Sequence, residues 1–356
     1  MSQYRLTVVL SQAPGKHPAK RSLEESIAAA LIMESGLDVA VIPNLYDLGP
    51  DHTGRLYLEG VRGDFCVLTW HFPRAIFWLL DRIGIKGHFG ENQLSAPNDE
   101  DEEEMEAEST NRGIGAAGDI PNRHIYCLDL RDRNTPEAFV AELKRIAKEC
   151  GERRQAESAA KAPLLQLGVQ RPEPANGVSA NGTNGKHHEL QLLENQDFTP
   201  EKLLATPNRR WYPVIDYSRC TNCLECLDFC LFGVYGVDSF ERLYVESQDN
   251  CKKGCPACSR VCPEQAIMFP EYKSAAIAGA PVGGITGIKI DLSKLFGGED
   301  ADPVAQAVAE RDRELVADGR TAVGATVGLP KRQENKSNAP KDDLDKLVDD
   351  LDALDL

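Results

Sequence analysis

The 356-residue chain lacks any apolar run of transmembrane length. Its opening MSQYRLTVVL lacks the charged, apolar and small-residue zones of a signal peptide. Both absences point to a soluble, cytoplasmic protein without membrane insertion. Basic residues are in deficit, with 40 Lys and Arg against 56 Asp and Glu and a formal net charge of −16. Phosphate backbones are bound by concentrated Lys and Arg, so the balance disfavours nucleic acid as a partner. No Ser/His/Asp or paired-carboxylate constellation can be assembled, so no catalytic residue is expected. Gly15-Lys16 lacks the leading glycine and the following Ser or Thr of a P-loop. Its neighbours Lys16, His17, Lys20 and Arg21 read as a solvated basic loop. Gly113-x-Gly115-x-x-Gly118 matches the dinucleotide fingerprint as text, but an acidic stretch precedes it and Pro121 and a strand follow. It reads as a glycine loop.

Cysteine, by contrast, is plentiful. Eight of the eleven fall in two runs, Cys220-x2-Cys223-x2-Cys226-x3-Cys230 and Cys251-x3-Cys255-x2-Cys258-x3-Cys262-Pro263. Each iron of a [4Fe–4S] cube needs one soft thiolate, so four sulfurs must converge on a compact inorganic body. Three closely spaced cysteines can wrap one side of it from a short turn. The fourth comes from elsewhere, and in this type of pattern the last cysteine of each run ligates the other cluster. Zinc is the rival reading, but its sites present two separated C-x2-C pairs more often than three plus one. Metal-spaced cysteines in a reducing compartment read as ligands, not as a disulfide framework. Cys66, Cys127 and Cys150 are left over; Cys66 and Cys127 fall in strand patterns, and such lone cysteines are usually buried and inert.

On these motifs the stretch 211–273 resembles the bacterial-type 2[4Fe–4S] ferredoxin domain. The resemblance covers less than a fifth of the chain. It implies two [4Fe–4S] clusters, one held by Cys220, Cys223, Cys226 and Cys262, the other by Cys251, Cys255, Cys258 and Cys230. It also implies a duplicated strand–helix–strand pattern and potentials on the order of −400 mV or lower. Strands are expected over 214–217, 234–237, 243–246 and 266–269, and short helices over 224–230 and 257–261. Two positions depart from the family. Lys252-Lys253-Gly254 adds one residue between the first two cysteines of the second run, and Leu231 stands where a proline usually follows Cys230. Gly254 can take positive φ and absorb the insertion.

Residues 1–150 read as a separate α/β domain with a mainly parallel sheet, of unrecognised family and unknown ligand. Strands are expected over 4–10, 37–42, 64–70 and 125–130. Ser22-x-x-Glu25 reads as a capping box opening a helix with Leu23, Ile27 and Leu31 on one face. A second helix starts at Pro73 and stops before Gly84, and a third opens at Thr135-Pro136 with Phe139, Leu143 and Ile146 inward. At the carboxyl end of the third strand, His71 and Arg74 could hold an acidic group beneath Trp70 and Phe72. Aromatics at such a turn are more often core.

Residues 99–108 carry eight acidic residues in ten and read as a solvated loop. Residues 151–209 read as a flexible linker, in which His187-His188 is a polar pair and no metal site. The cluster-bearing domain spans 210–275. Beyond it, 276–356 reads as an extension, in which the apolar run 284–296 could dock, and an acidic, largely disordered tail. Within that tail 301–341 is expected disordered, and Leu344, Leu347, Val348, Leu351 and Leu354 form an acidic amphipathic stripe.

The expected function is low-potential electron transfer as a ferredoxin-like carrier between redox partner proteins, with the acidic surface steering basic partners. The alternative is an electron-transfer subunit of a multi-protein oxidoreductase whose N-terminal domain binds a cofactor or substrate. A scaffold with structural clusters is a third reading.

Overall fold

The computed structural model describes residues 4–15, 17–94, 114–115, 118–161, 208–281 and 302–329. A five-stranded parallel sheet has the order β2-β1-β3-β5-β4. Its strands are β1 Leu6–Ser11, β2 Leu37–Ile42, β3 Phe65–Thr69, β4 His88–Gly90 and β5 His124–Asp129. β1 and β2 pair from Leu6↔Leu37 to Ser11↔Ile42, and β4 pairs with β5 from His88↔His124. All of β3 and nearly all of β1 and β5 are buried. That agrees with apolar, β-branched runs in a parallel sheet.

The chain divides into two compact units, Met1–Cys66 with Arg133–Asn208, and Val67–Asp132 with Arg209–Leu356. In the first unit, helix α1 covers Pro18–Ile32, α2 covers Thr53–Gly60 and α4 covers Pro136–Lys161. Phe139, Leu143 and Ile146 of α4 are fully buried, as their spacing predicts. α1 starts at Pro18, four residues before the expected capping box. Proline at the first helical position is pre-set for the helix and needs no N–H partner, so it sets the start. Ser22 then lies inside the helix, its carbonyl accepting from Ser26 Oγ at 2.7 Å.

α4 runs ten residues past the start of the expected linker, to Lys161. Arg153 explains part of this, bonding Asp64 at 3.0 Å, while Arg154 lies 4.9 Å over the Tyr4 ring. Asp64 is 4% exposed in its side chain, so the arginines answer a charge that burial would otherwise penalise.

In the second unit, α3 covers Pro73–Arg82, preceding β4 and β5. The cysteine-rich stretch follows as β6 Val214–Ile215, α5 Glu225–Phe229, β7 Tyr235–Val237, β8 Leu243–Val245, α6 Ala257–Val261, β9 Ile267–Met268 and α7 Ala275–Ala278. β6 pairs antiparallel with β9, and β7 antiparallel with β8. Helix α8, Pro303–Ala317, corrects the expectation of disorder for that part of 301–341; residues 330–341 lie outside the described ones. Asp302 caps it, accepting from the Val304 N–H at 3.0 Å, and Ala307, Arg311 and Leu315 recur every four residues on its buried face.

The acidic block 99–108, His187-His188, Lys16, Gly113, the run 284–296 and the leucine stripe of 342–356 lie outside the described residues. Among the described residues no helix is long and apolar enough to cross a membrane.

Candidate metal centre

The first cysteine run follows the turn after β6, beginning at Cys220. Asn222 and Leu224 both adopt left-handed backbone conformations, with φ of 58° and 63°. For leucine this is an unusual conformation, held here by its surroundings. The Asn222 side chain fixes the turn to the β7–β8 hairpin, donating to the Glu241 carbonyl at 2.7 Å and accepting from the Leu243 N–H at 2.9 Å. α5 then carries Cys226 and ends at Cys230. In the second run Gly254 takes φ of 85°, as its place beside the inserted residue predicts, and α6 carries Cys258.

The eight cysteines fall around two cavities. Cys220, Cys223, Cys226 and Cys262 line one, together with Thr221, Leu224, Leu243, Glu264, Ala266 and Ile267. Cys230, Cys251, Cys255 and Cys258 line the other, with Phe229, Phe232, Val234, Tyr235, Lys252 and Arg311 among their neighbours. Three sulfurs of each set come from one run and the fourth from the other run. The open spaces are about 290 Å³ and 340 Å³, parts of which join solvent. Among the described residues no three His, Cys, Asp or Glu side chains meet closely enough for a single metal ion. A cube asks for a wider spacing, since each thiolate reaches a different iron.

Burial pushes the Cys220 and Cys255 thiols up to about 11, and raises Cys226 and Cys258 well above the ordinary thiol value. Neighbouring sulfurs add to this; for Cys226 they are Cys262, Cys220 and Cys223, and for Cys258 they are Cys230, Cys251 and Cys255. Backbone N–H groups act in the opposite sense. Those of Phe232 and Val234 favour the Cys230 thiolate, and the Ala266 N–H donates to Cys262 Sγ at 3.3 Å. The Tyr235 hydroxyl donates to Cys258 Sγ at 3.1 Å. Buried sulfurs with N–H and O–H donors turned toward them fit the donor set of a cubane, whose irons would bind them as thiolates.

His71 and Arg74 belong to a joint with this cysteine-rich stretch. His71 Nδ1 lies 3.2 Å from the Pro270 carbonyl. Arg74 donates to Asp216 at 2.5 Å and to the Gln265 carbonyl at 2.8 Å. The acidic group that Arg74 holds is thus supplied by the chain itself. Trp78 meets Tyr217 edge-on at 5.7 Å, and Arg82 lies 4.5 Å over the Tyr212 ring. The glycine loop is part of the same joint: the N–H groups of Ile114 and Gly115 donate to the Cys220 and Tyr217 carbonyls at 2.9 and 2.8 Å. Nothing in local spacing announced Arg311, Tyr235 or Ile114 at these positions. Cys66, Cys127 and Cys150 are fully buried, and burial raises the Cys127 thiol.

No protein-family model and no solved structure matches the chain. Over 64 residues, 18% of its length, it is 45% identical to an uncharacterized ferredoxin of Methanocaldococcus jannaschii. The match covers 43% of that protein, so the chain spans less than half the length of this curated relative. The similarity supports a ferredoxin segment within a larger α/β chain. The remainder is unrecognised.

Proposed function

We propose that the chain transfers electrons at low potential through two [4Fe–4S] clusters, carried by a ferredoxin-like domain at about 210–275. Cys220, Cys223, Cys226 and Cys262 would hold one, and Cys251, Cys255, Cys258 and Cys230 the other. The observation that carries this reading is the lining of the two cavities, each by three cysteines of one run and the last of the other. Similarity to a protein named as a ferredoxin supports it. When bound, a [4Fe–4S] cluster accepts and releases one electron at a time. The chain's own groups orient the sulfurs through the turns at Asn222, Leu224 and Gly254. They exclude water with Phe229, Val234 and Ile267 and direct N–H and O–H donors at sulfur. Donor and acceptor would be redox proteins, docked weakly on an acidic chain. Reversible bleaching of visible absorbance by dithionite in anaerobically purified protein tests the reading; a colourless or redox-inert protein contradicts it.

A second reading, an electron-transfer subunit of a larger oxidoreductase, is favoured by the joint at Arg74 and Gly115. There a helix and a loop of the α/β part are bonded directly to the cysteine-rich stretch. Nucleotide or flavin retained by the purified chain would favour it over a simple carrier.

A further inference from the structure

The two cavities differ in the charged side chains that line them, and one of these, Arg311, comes from outside the cysteine runs. Helix α8 packs on α6, and its Arg311 is 1% exposed, the largest fully buried side chain among the described residues. Arg311 lines the cavity of Cys230, Cys251, Cys255 and Cys258. Its guanidinium lies 4.5 Å over the Phe229 ring and donates to the Val327 and Gly324 carbonyls at 2.9 and 2.6 Å. Asp312 is its carboxylate neighbour at 3.0 Å.

The segment 302–329 that carries this arginine is fastened at several points around the cavity. Arg260 pairs with Glu310 at 3.0 Å, Lys252 with Asp318 at 2.6 Å, and Arg320 donates to the Leu231 carbonyl at 2.9 Å. At Gly328 a Cβ would meet the Phe229 Cα at 2.7 Å, so only glycine lets the chain pass there. The position of Arg311 is therefore fixed by the fold. Lys252 lines the same cavity. The other cavity is lined by Glu264 and by no Lys or Arg.

We infer that Arg311 is a potential-setting residue: it raises the reduction potential of the cluster held by Cys230, Cys251, Cys255 and Cys258 and leaves the other cluster lower. The inference rests on the proposed function. Uptake of one electron adds a negative charge within the cavity. A fixed guanidinium in surroundings of low dielectric favours that reduced state over the oxidised one. Reducing electrons arriving at either site would settle first beside Arg311.

The test is an EPR-monitored redox titration of the full chain with dithionite as reductant, the two signals assigned by the one lost in Cys251→Ser. Arg311→Met should lower the potential of the Cys251 cluster and leave the other unmoved, while Arg311→Lys keeps it near the parent value. Both clusters assembled with neither potential shifted, or with both shifted together, overturns the inference. If Arg311→Met loses its clusters, Asp312→Asn decides. Removing the counter-anion should raise the same potential, and an unchanged value there overturns the inference. Absence of iron and sulfide from the parent protein overturns the electron-transfer reading itself, and this inference with it.

Discussion

Arg74 Nε and Asp216 Oδ2 meet at 2.5 Å across 142 residues of sequence, with side chains 14% and 3% exposed. The bond ties the first turn of α3 to the residue that leads into the first cysteine run, since the Cys220 N–H donates to the Asp216 carbonyl at 2.9 Å. Removing one partner of a buried pair strands the other charge, at about 3–5 kcal/mol. Arg74→Ala should therefore lower the urea midpoint markedly, with Arg74→Lys intermediate because it loses the planar fork that also reaches Gln265. An unchanged midpoint in Arg74→Ala would show that the joint adds nothing to stability.

Cys226 sits among Cys220, Cys223 and Cys262 in one cavity. Cys226→Ser should reduce the iron content by about half, since each cubane carries four irons. The signal that remains should be the one sensitive to Cys251→Ser. Full iron content in Cys226→Ser would remove Cys226 from the ligand set.

Tyr235 is 5% exposed, and its hydroxyl bonds Cys258 Sγ. Hydrogen bonds to sulfur favour the reduced, more negative state of a cluster. Tyr235→Phe keeps the ring and deletes the donor, so one cluster's potential should fall while thermal stability changes little. A potential equal to the parent's would show that this bond has no influence on the centre.

His52 Nδ1 accepts the Gly54 N–H at 3.0 Å and caps α2, and burial holds its pKa below the ordinary 6.5. Because the folded value is depressed, the unfolded chain binds the proton first. The cap's contribution is present above pH 6.5 and is lost as pH falls below it. His52→Asn keeps an acceptor that does not titrate in this range. The parent should lose stability relative to the variant between about pH 7 and pH 5. Parallel pH profiles for the two proteins would exclude His52 as the titrating cap.

What could be read from the sequence was local. Cysteine spacing, the strand over Leu37–Ile42, the helix over Ala257–Val261 and the start of α3 at Pro73 depend on near neighbours, and each lies where its pattern places it. Ser22 and Glu25 formed a plausible cap as text, but Pro18 opens the helix one turn earlier. α8 had a legible signal in Asp302-Pro303 and in the four-residue spacing of Ala307, Arg311 and Leu315, masked by a polar composition. Arg311 itself was unreadable, because what gives it meaning is Phe229, 82 positions away, and a cavity built by other segments. The place of Arg74 just after a strand's carboxyl end marks it as a residue able to hold an acid. That the acid is Asp216 of the same chain is a fact of tertiary structure.

The most direct test of the account is quantitation of iron and acid-labile sulfide per chain in anaerobically purified protein, with EPR of the dithionite-reduced sample. The account predicts about eight of each and signals from two interacting clusters. Zinc in place of iron, or iron without sulfide, would contradict it.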